Sequence, residues 1–407
     1  MSDTGHRRVV VTGLGVVSSI GIGAAAFGHA IRAGRSGMTP ISSFDTSRFP
    51  KRIGGEVQDF DAAEHLERID PADWGRSALF AAAAARLAAR DAAIDPELLS
   101  SSVSGSVMGT TSGESAVTQR LAEQSLASGI KSMDPRLVRM TPANRIAGAV
   151  NSELGLTGEA NVIATACSAS NYALGYAYDM VGTGEADFML AGGADAVNRH
   201  THAGFLRLGA LADDVIRPFD VNRSGIITGE GGVALFLEPL QHAQARGARI
   251  YAEVLGYGVN CDAKHMVHPD AHALARCIEA AHTSAGVVAA DIDYICAHGT
   301  GTPANDEAEM AAIRAVFGTD LPPVSSIKSM LGHTMGAASG FGAAACCLAL
   351  HDGFLPPTAT LEQVDPALGA DLDCVPGTAR PAALRVVENH GFAFGGNNAI
   401  TLLGRPT

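Results

Sequence analysis

The stretch from Asn161 to Tyr178 constrains the fold of this chain more than any other part of the sequence. A short apolar run precedes Cys167, and small and aromatic residues at helical spacing follow it, so the stretch predicts a strand, a tight turn and a helix. Because a helix N-terminus offers unpaired N–H groups and a positive dipole end, we expect the pKa of Cys167 to fall. Such a thiol would be a nucleophile. The alternative is a buried structural cysteine, because free cysteine is among the most buried residue types.

Two later stretches, Ile292–Thr302 and Val324–Ala337, favour the nucleophile. Each ends a β-branched run with a histidine beside glycines, His298 in the first and His333 in the second. One such histidine alone is more often a satisfied core residue. A cysteine and two histidines, each beside a strand end with glycines, predict a site, because glycine lets a ligand approach the backbone and strand ends are where α/β folds gather their chemistry.

Four motifs in the sequence point to one protein family. They are, in order, Thr165-Ala-Cys167-Ser168, His298-Gly-Thr-Gly-Thr302, Lys328-Ser-Met-Leu-Gly-His333 and Gly391-Phe-Ala-Phe394-Gly-Gly-Asn-Asn398. These motifs and their order resemble those of the β-ketoacyl-acyl carrier protein synthases, the condensing enzymes of fatty-acid and polyketide assembly, and the resemblance extends from about Arg8 to Leu403.

The strand and helix pattern by itself predicts an α/β protein with mixed sheets. The resemblance implies the thiolase fold, two similar halves in a five-layer α-β-α-β-α arrangement with the active site between them. We place the N-terminal half with the nucleophile at residues 1–249, and the C-terminal half with the two histidines at residues 250–407. Within the first half, an alanine-rich helix is expected over Ser77–Ile94, and another helix with Thr141 as its N-cap.

Composition excludes several other classes of protein. The net charge of −13 argues against a nucleic-acid partner, since phosphate recognition needs clustered Lys and Arg. The apolar runs are interrupted and too short to span a bilayer, and the N-terminus lacks a signal-peptide pattern, so we expect a cytoplasmic protein without membrane contact. The seven scattered cysteines show neither a disulfide framework nor metal-ligand spacing.

Condensation chemistry assigns the central roles. Cys167 is expected to accept an acyl group from a thioester. Decarboxylation of a malonyl thioester develops negative charge on the thioester oxygen, which His298 and His333 would stabilise by hydrogen bonds. The resemblance further implies that Lys328 supports His333 electrostatically and that Glu309 pairs with Lys328.

The resemblance also implies substrate contacts. Backbone N–H groups of Cys167 and Phe394 would form the oxyanion hole, and Phe394 would gate the acyl pocket. No cofactor is implied, because the substrates travel on the phosphopantetheine of an acyl carrier protein. The expected dimer is either a homodimer or a heterodimer with a related ketosynthase-like subunit. The expected substrate-binding residues are Thr300 and Thr302 for the pantetheine arm, and Phe205, Thr110 and Thr111 for the acyl pocket.

One segment departs from the family pattern. Elongating relatives often carry His-Met-Thr-Ser-Pro where this chain has His265-Met-Val267-His268-Pro269. Val267 removes a hydroxyl that would meet the pantetheine, and His268 adds an imidazole. We therefore expect a change in carrier or extender preference, unless Val267 points into the core.

Other functions on the same fold remain open from the residues alone. A relative that transfers acyl groups without elongation, or a thioesterase-like hydrolase using Cys167 and a histidine, would share parts of the site. A chain-length partner subunit usually lacks the nucleophile, and a binding scaffold would need none of these residues. Cys167 together with two histidines and Lys328 favours the elongating enzyme.

Overall fold

A computed structural model describes residues 6–369 and 371–406, and most strands in it belong to one large sheet. The strands are β1 Val9–Ser18, β2 Gly21–Ile22, β3 Thr39–Pro40, β4 Ile53–Gly54, β5 Ser104–Gly109, β6 Ala160–Ile163, β7 Phe188–Asp195, β8 Gly231–Pro239, β9 Ala252–Cys261, β10 Tyr294–Cys296, β11 Val324–Ser325, β12 Phe354–Leu355, β13 Arg380–Pro381, β14 Val386–Phe392 and β15 Asn397–Gly404.

The helices lie on both sides of this sheet and between its halves. They are α1 Ala24–Arg32, α2 Ala62–His65, α3 Arg76–Asp91, α4 Pro96–Ser101, α5 Ser115–Ser128, α6 Pro135–Met140, α7 Arg145–Leu154, α8 Ala169–Thr183, α9 Arg199–Arg207, α10 Leu240–Ala245, α11 Ala271–Ala285, α12 Pro303–Phe317, α13 Lys328–Leu331 and α14 Ala338–Asp352.

The large sheet has eleven strands, and apart from β2, which pairs with β1, they form two five-stranded halves with the same topology. One half has the order β6-β5-β7-β8-β1 and the other the order β11-β10-β14-β15-β9, so corresponding strands occupy corresponding places. In each half the first two pairings are parallel and the last two antiparallel. A short antiparallel pairing of β1 with β9 joins the halves. This confirms the predicted mixed α/β architecture.

Helices complete five layers. The outer layers are α3 with α7 on one side and α11 with α12 on the other, and α8 with α14 fill the space between the half-sheets. The two central helices consist mainly of small or apolar residues, and every residue of α14 from Ala338 to Leu350 is buried. A helix that is apolar on all sides is suited to such a position.

Each central helix begins with the same strained turn. A 3₁₀ turn precedes α8 at Ala166–Ser168, and a matching turn precedes α14 at Met335–Ala337. The first residue of each has a positive φ, 50° at Ala166 and 52° at Met335, which is uncommon for a residue with a side chain. These turns carry Cys167 and the backbone next to His333 into the space between the halves.

A buried amide pair holds the halves together close to these turns. Asn171 Nδ2 donates to the carbonyl oxygen of Asn389 at 2.9 Å, and Asn389 Nδ2 donates to Asn171 Oδ1 at 2.7 Å. Asn389 also donates to the carbonyl oxygen of Ser339 at the start of α14. Because buried amides are costly when unpaired, this network fixes the register between α8, α14 and β14.

Two local expectations meet different outcomes. The alanine-rich helix is present as α3. Thr141 is not an N-cap, because it follows the last residue of α6 and its hydroxyl donates to the carbonyl oxygen of Val138, while α7 begins at Arg145.

All seven cysteines are unpaired thiols. Within residues 6–369 and 371–406, every helix is either too short or too polar to cross a bilayer.

Candidate active site

Cys167, His298 and His333 meet in the space between the halves. The sulfur of Cys167 and one ring nitrogen of each histidine all lie within 4.8 Å of one another, and all three residues are buried. The two imidazole rings are nearly perpendicular, with centroids 5.6 Å apart. Cys167 comes from the turn before α8, His298 from the loop after β10 and His333 from the loop after α13. The structure therefore brings together the three residues that the sequence motifs single out.

The tautomer of His333 is set by the backbone. The N–H of Met335 donates to Nδ1 of His333 at 3.1 Å, so Nδ1 is the acceptor and the proton of the neutral ring resides on Nε2. Burial, reinforced by the charge of Lys328, lowers the pKa of His333 to about 3. His333 is therefore a neutral hydrogen-bond donor at physiological pH.

The peptide groups around His298 are held from two sides. Glu309 accepts the N–H groups of His298 and Gly299, each at 2.7 Å, and Lys328 Nζ donates to the carbonyl oxygen of His298 at 2.5 Å. Burial, and then the charge of Lys328, lower the pKa of His298 well below its usual value. Both imidazoles are thus kept neutral by the same two causes.

The expected ion pair between Glu309 and Lys328 is absent. The oxygens of Glu309 are occupied by the two backbone amides, by Asn305 Nδ2 at 3.3 Å and by His390 Nδ1 at 3.1 Å. Lys328 is directed at a carbonyl group instead, and its burial lowers its pKa. The two charges act through the backbone of His298 and not through direct contact.

The expected lowering of the Cys167 pKa is wrong. Burial raises the pKa of the thiol to about 11, although Lys328 and hydrogen bonds from the backbone amides of Phe394 and Cys167 act in the opposite direction. The effect of burial on the pKa of Cys167 is larger than the opposite effect of the helix N-terminus. A local pattern of strand, turn and helix could not reveal this, because the depth of burial depends on tertiary packing. The two amides nevertheless point at the sulfur, as an oxyanion hole requires.

Aromatic and hydroxyl side chains form the wall of the cavity above the sulfur. Phe205 and Phe394 pack against each other with ring centroids 5.6 Å apart, and the hydroxyl oxygens of Thr300 and Thr302 are 2.8 Å apart. Thr302 also caps α12 by accepting the N–H of Asn305. These four residues thus have the placement expected of substrate contacts.

Thr110 and Thr111 are not part of this wall. The Thr110 hydroxyl donates to Asp195 at 2.8 Å, and the Thr111 backbone N–H donates to the same carboxylate at 2.7 Å. Asp195 also accepts the N–H of Gly336 at 2.7 Å, and its burial raises its pKa to about 6 despite these bonds. The sequence analysis did not single out Asp195, although its position at the end of a glycine-containing strand, β7, was a signal.

The departing segment borders the cavity. Val267 is half-buried and lines the cavity mouth, so it does not point into the core, and its N–H donates to Nδ1 of His265 at 3.1 Å. His268 also lines the mouth but is largely exposed. The carbonyl oxygen of Met266 accepts the N–H of Gly395 at 2.8 Å, which couples this segment to the loop that carries Phe394.

A metal ion would find three donors here. Cys167, His298 and His333 form the one group of three or more potential ligands found among the described residues. Their residue types suit zinc. The hydrogen bonds around these residues favour acyl chemistry over metal binding. The N–H of Met335 donates to Nδ1 of His333, and the backbone N–H groups of Phe394 and Cys167 are directed at the sulfur of Cys167.

Comparisons with known proteins agree with this geometry. Residues 6–243 match the family described as "Beta-ketoacyl synthase, N-terminal domain", and residues 251–362 match "Beta-ketoacyl synthase, C-terminal domain". The "3-oxoacyl-[acyl-carrier-protein] synthase 2" of Synechocystis is 38% identical over 98% of both chains. The protein of the same name from Coxiella burnetii is 36% identical over 98% of this chain and 99% of its own length.

Solved structures confirm the predicted thiolase fold. "The ishigamide ketosynthase/chain length factor" superposes with a TM-score of 0.97 at 48% identity, covering 99% of this chain and all of that one. A ketosynthase bound to the hexaketide, in complex with its type II acyl-carrier protein, superposes with a TM-score of 0.90 at 30% identity over 98% of this chain. The resemblance drawn from the four motifs is confirmed as well.

Proposed function

Because the chain belongs to the β-ketoacyl synthase family and is a condensing acyltransferase, we propose that Cys167, His298 and His333 divide the reaction between them. Cys167 holds the growing acyl chain, and the two imidazoles promote loss of carbon dioxide from a malonyl thioester. The observation that carries this assignment is the approach of one sulfur and two neutral imidazoles within 4.8 Å at the end of a cavity.

Acyl transfer comes first. The sulfur of Cys167 attacks the carbonyl carbon of the incoming thioester, and the oxyanion is held by the N–H groups of Cys167 and Phe394. The carbon–sulfur bond to the carrier then breaks. The proton of the Cys167 thiol is transferred to the departing carrier thiolate, so the carrier leaves as a free thiol.

Condensation follows at the same place. The bond between the malonyl methylene and its carboxylate breaks, carbon dioxide leaves, and the electron pair forms an enolate whose oxygen accepts hydrogen bonds from His298 and from His333 Nε2. The enolate carbon attacks the acyl group, and the thiolate of Cys167 is released and protonated again. The product is a β-ketoacyl thioester on the carrier, longer by two carbons.

The substrates are proposed to arrive on an acyl carrier protein. Thr300 and Thr302 line the cavity together with Asn305, and their hydroxyls are groups that can form hydrogen bonds with a pantetheine arm. A net charge of −13 on this chain means that docking of an acidic carrier depends on local arginines against an unfavourable overall field. Such docking should weaken as salt concentration rises.

We further propose that this chain works in polyketide assembly beside a ketosynthase-like subunit. Identity to "The ishigamide ketosynthase/chain length factor" is 48%, against 38% for the "3-oxoacyl-[acyl-carrier-protein] synthase 2" of Synechocystis. Co-expression with a chain-length-factor-like protein, followed by native mass spectrometry, separates a heterodimer from a homodimer.

The seven unpaired cysteines support a reducing compartment and hence the cytoplasm.

Intact-mass spectrometry after incubation with acyl-carrier thioesters of different lengths tests the function directly. We expect one acyl adduct that is absent in Cys167→Ala, and a carbon dioxide-releasing reaction when malonyl carrier is added. An adduct that persists in Cys167→Ala would refute the nucleophile. Release of free acid without carbon dioxide would indicate the thioesterase-like alternative instead.

A further inference from the structure

A row of buried charged groups runs from the back of His298 to helix α11. Glu309 accepts His390 Nδ1 at 3.1 Å, and Glu388 accepts His390 Nε2 at 2.9 Å. The second oxygen of Glu388 contacts His282 on α11. Glu309, His390 and Glu388 are fully buried, and none of them lines the cavity.

The geometry requires His390 to be an imidazolium. A neutral imidazole has one N–H donor, whereas here both ring nitrogens face carboxylate oxygens at hydrogen-bond distance. Burial alone would favour the neutral ring, but Glu309 and Glu388 overcome it and raise the pKa of His390 to about 9. His390 is thus the opposite of the two active-site imidazoles, which are kept neutral.

The charge of His390 balances the interior. Glu309 and Glu388 supply two negative charges, and His390 and Lys328 supply two positive ones within the same buried region. Removing the imidazolium would leave two carboxylates with one counter-ion, and like charges in a low-dielectric interior force one of them to take up a proton. A protonated Glu309 would hold the amides of His298 and Gly299 less firmly.

We propose that His390 is a positioning residue for the decarboxylation step, acting through the Glu309 carboxylate on the placement of the His298 imidazole. This proposal rests on the role of His298 given above. Cys167 lies outside this row, since its own hydrogen bonds come from the backbone of Phe394 and Cys167. Loss of His390 should therefore impair decarboxylation and spare acyl transfer.

Variants of His390 and Glu388 separate charge from packing. His390→Asn should lower the rate of malonyl-thioester decarboxylation about 10- to 100-fold, the cost of misplacing a reacting group by about 1 Å. Adding Glu388→Gln removes the unpaired second carboxylate, so the double variant should recover most of that rate. The matched control is His282→Gln, which changes the far end of the row and should cost only a few-fold.

Acyl loading of Cys167, read by intact mass in the same proteins, reports whether the fold and the proposed nucleophile are intact. We expect normal loading in His390→Asn. If wild-type protein neither loads nor decarboxylates, the proposed function fails. If loading and decarboxylation fall together in His390→Asn and the double variant recovers neither, His390 is merely structural and the inference is overturned.

The pH profile gives a second readout. Wild-type decarboxylation should decline above about pH 9, where His390 loses its proton, and the double variant should lack this decline. An identical decline in both would assign it to another group and count against the proposal. The titratable groups that face His390 or its partners are Glu309, Glu388, His282, His298, Lys328, Asp306, Cys277, Cys296 and Cys346.

Discussion

Lys328 Nζ lies 2.5 Å from the carbonyl oxygen of His298, and it is this contact that connects the buried ammonium to the active site. The positive charge contributes, after burial, to lowering the pKa of both His298 and His333. Lys328 therefore has two effects at once: it fixes the peptide group of one histidine, and it keeps both imidazoles neutral. Neutral rings are the form in which Nδ1 of His333 can accept from Met335 and Nε2 can donate.

Lys328→Met should reveal the electrostatic effect. Neutral imidazoles are lost as pH falls through their pKa, and the pKa of His333 is about 3, so wild-type decarboxylation should stay flat down to about pH 5. Without the ammonium, the pKa of each histidine rises and the acid limb should move toward neutral pH. Malonyl-coenzyme A decarboxylation across pH measures this without a carrier. Lys131→Met, at an exposed position, is the control and should behave as wild type.

The pKa of Cys167 predicts its reactivity toward alkylating agents. Because the pKa is about 11, the thiolate fraction and hence the rate of modification by iodoacetamide should rise about tenfold per pH unit from about pH 7 to about pH 10. Peptide mapping follows Cys167 and the exposed Cys261 in the same sample, which makes Cys261 an internal reference. A plateau for Cys167 below about pH 8 would show that the helix N-terminus dominates after all.

Local patterns predicted the elements that carry their own signal. α3 follows from an alanine-rich run, and the turn at Cys167 follows from small residues after a short strand. Thr141 shows the limit of such rules. Threonine is a common N-cap, but α6 extends up to Met140, so Thr141 is the C-cap of that helix. The next helix, α7, starts three residues after Pro142.

The remaining features depend on contacts between residues that lie far apart in the sequence. Asp195 binds Gly336 across 141 residues of sequence, and His390 binds Glu309 across 81. No motif spans such distances, and burial, which sets the pKa of Cys167, is decided by the same long-range packing. The four motifs supplied the reacting groups and Lys328, whereas Asp195 and His390 became visible only when distant parts of the chain were brought together.

Cys167→Gln should separate decarboxylation from condensation. The amide cannot carry an acyl group, so condensation should be lost, while His298 and His333 remain in place and malonyl decarboxylation should be retained or raised. In that background, removing one donor with His333→Ala should cost about 10²–10³ in rate, as for other oxyanion donors. The measurement is carbon dioxide release. Its disappearance in a folded Cys167→Gln protein would contradict the assigned roles.

Val267→Thr tests the segment that departs from the family pattern. Val267 lines the cavity, so a threonine hydroxyl at this position can meet the pantetheine arm. A single neutral hydrogen bond is worth about 0.5–1.5 kcal/mol, so KM for the malonyl carrier should fall a few-fold. The value of kcat should be nearly unchanged, because the contact is made equally in the ground and transition states. Val259→Thr, at an exposed position of β9, is the control and should leave KM unaltered. A large drop in kcat in Val267→Thr would mean that this position shapes the reacting geometry, and an unchanged KM with lower stability would mean that the side chain acts only in packing.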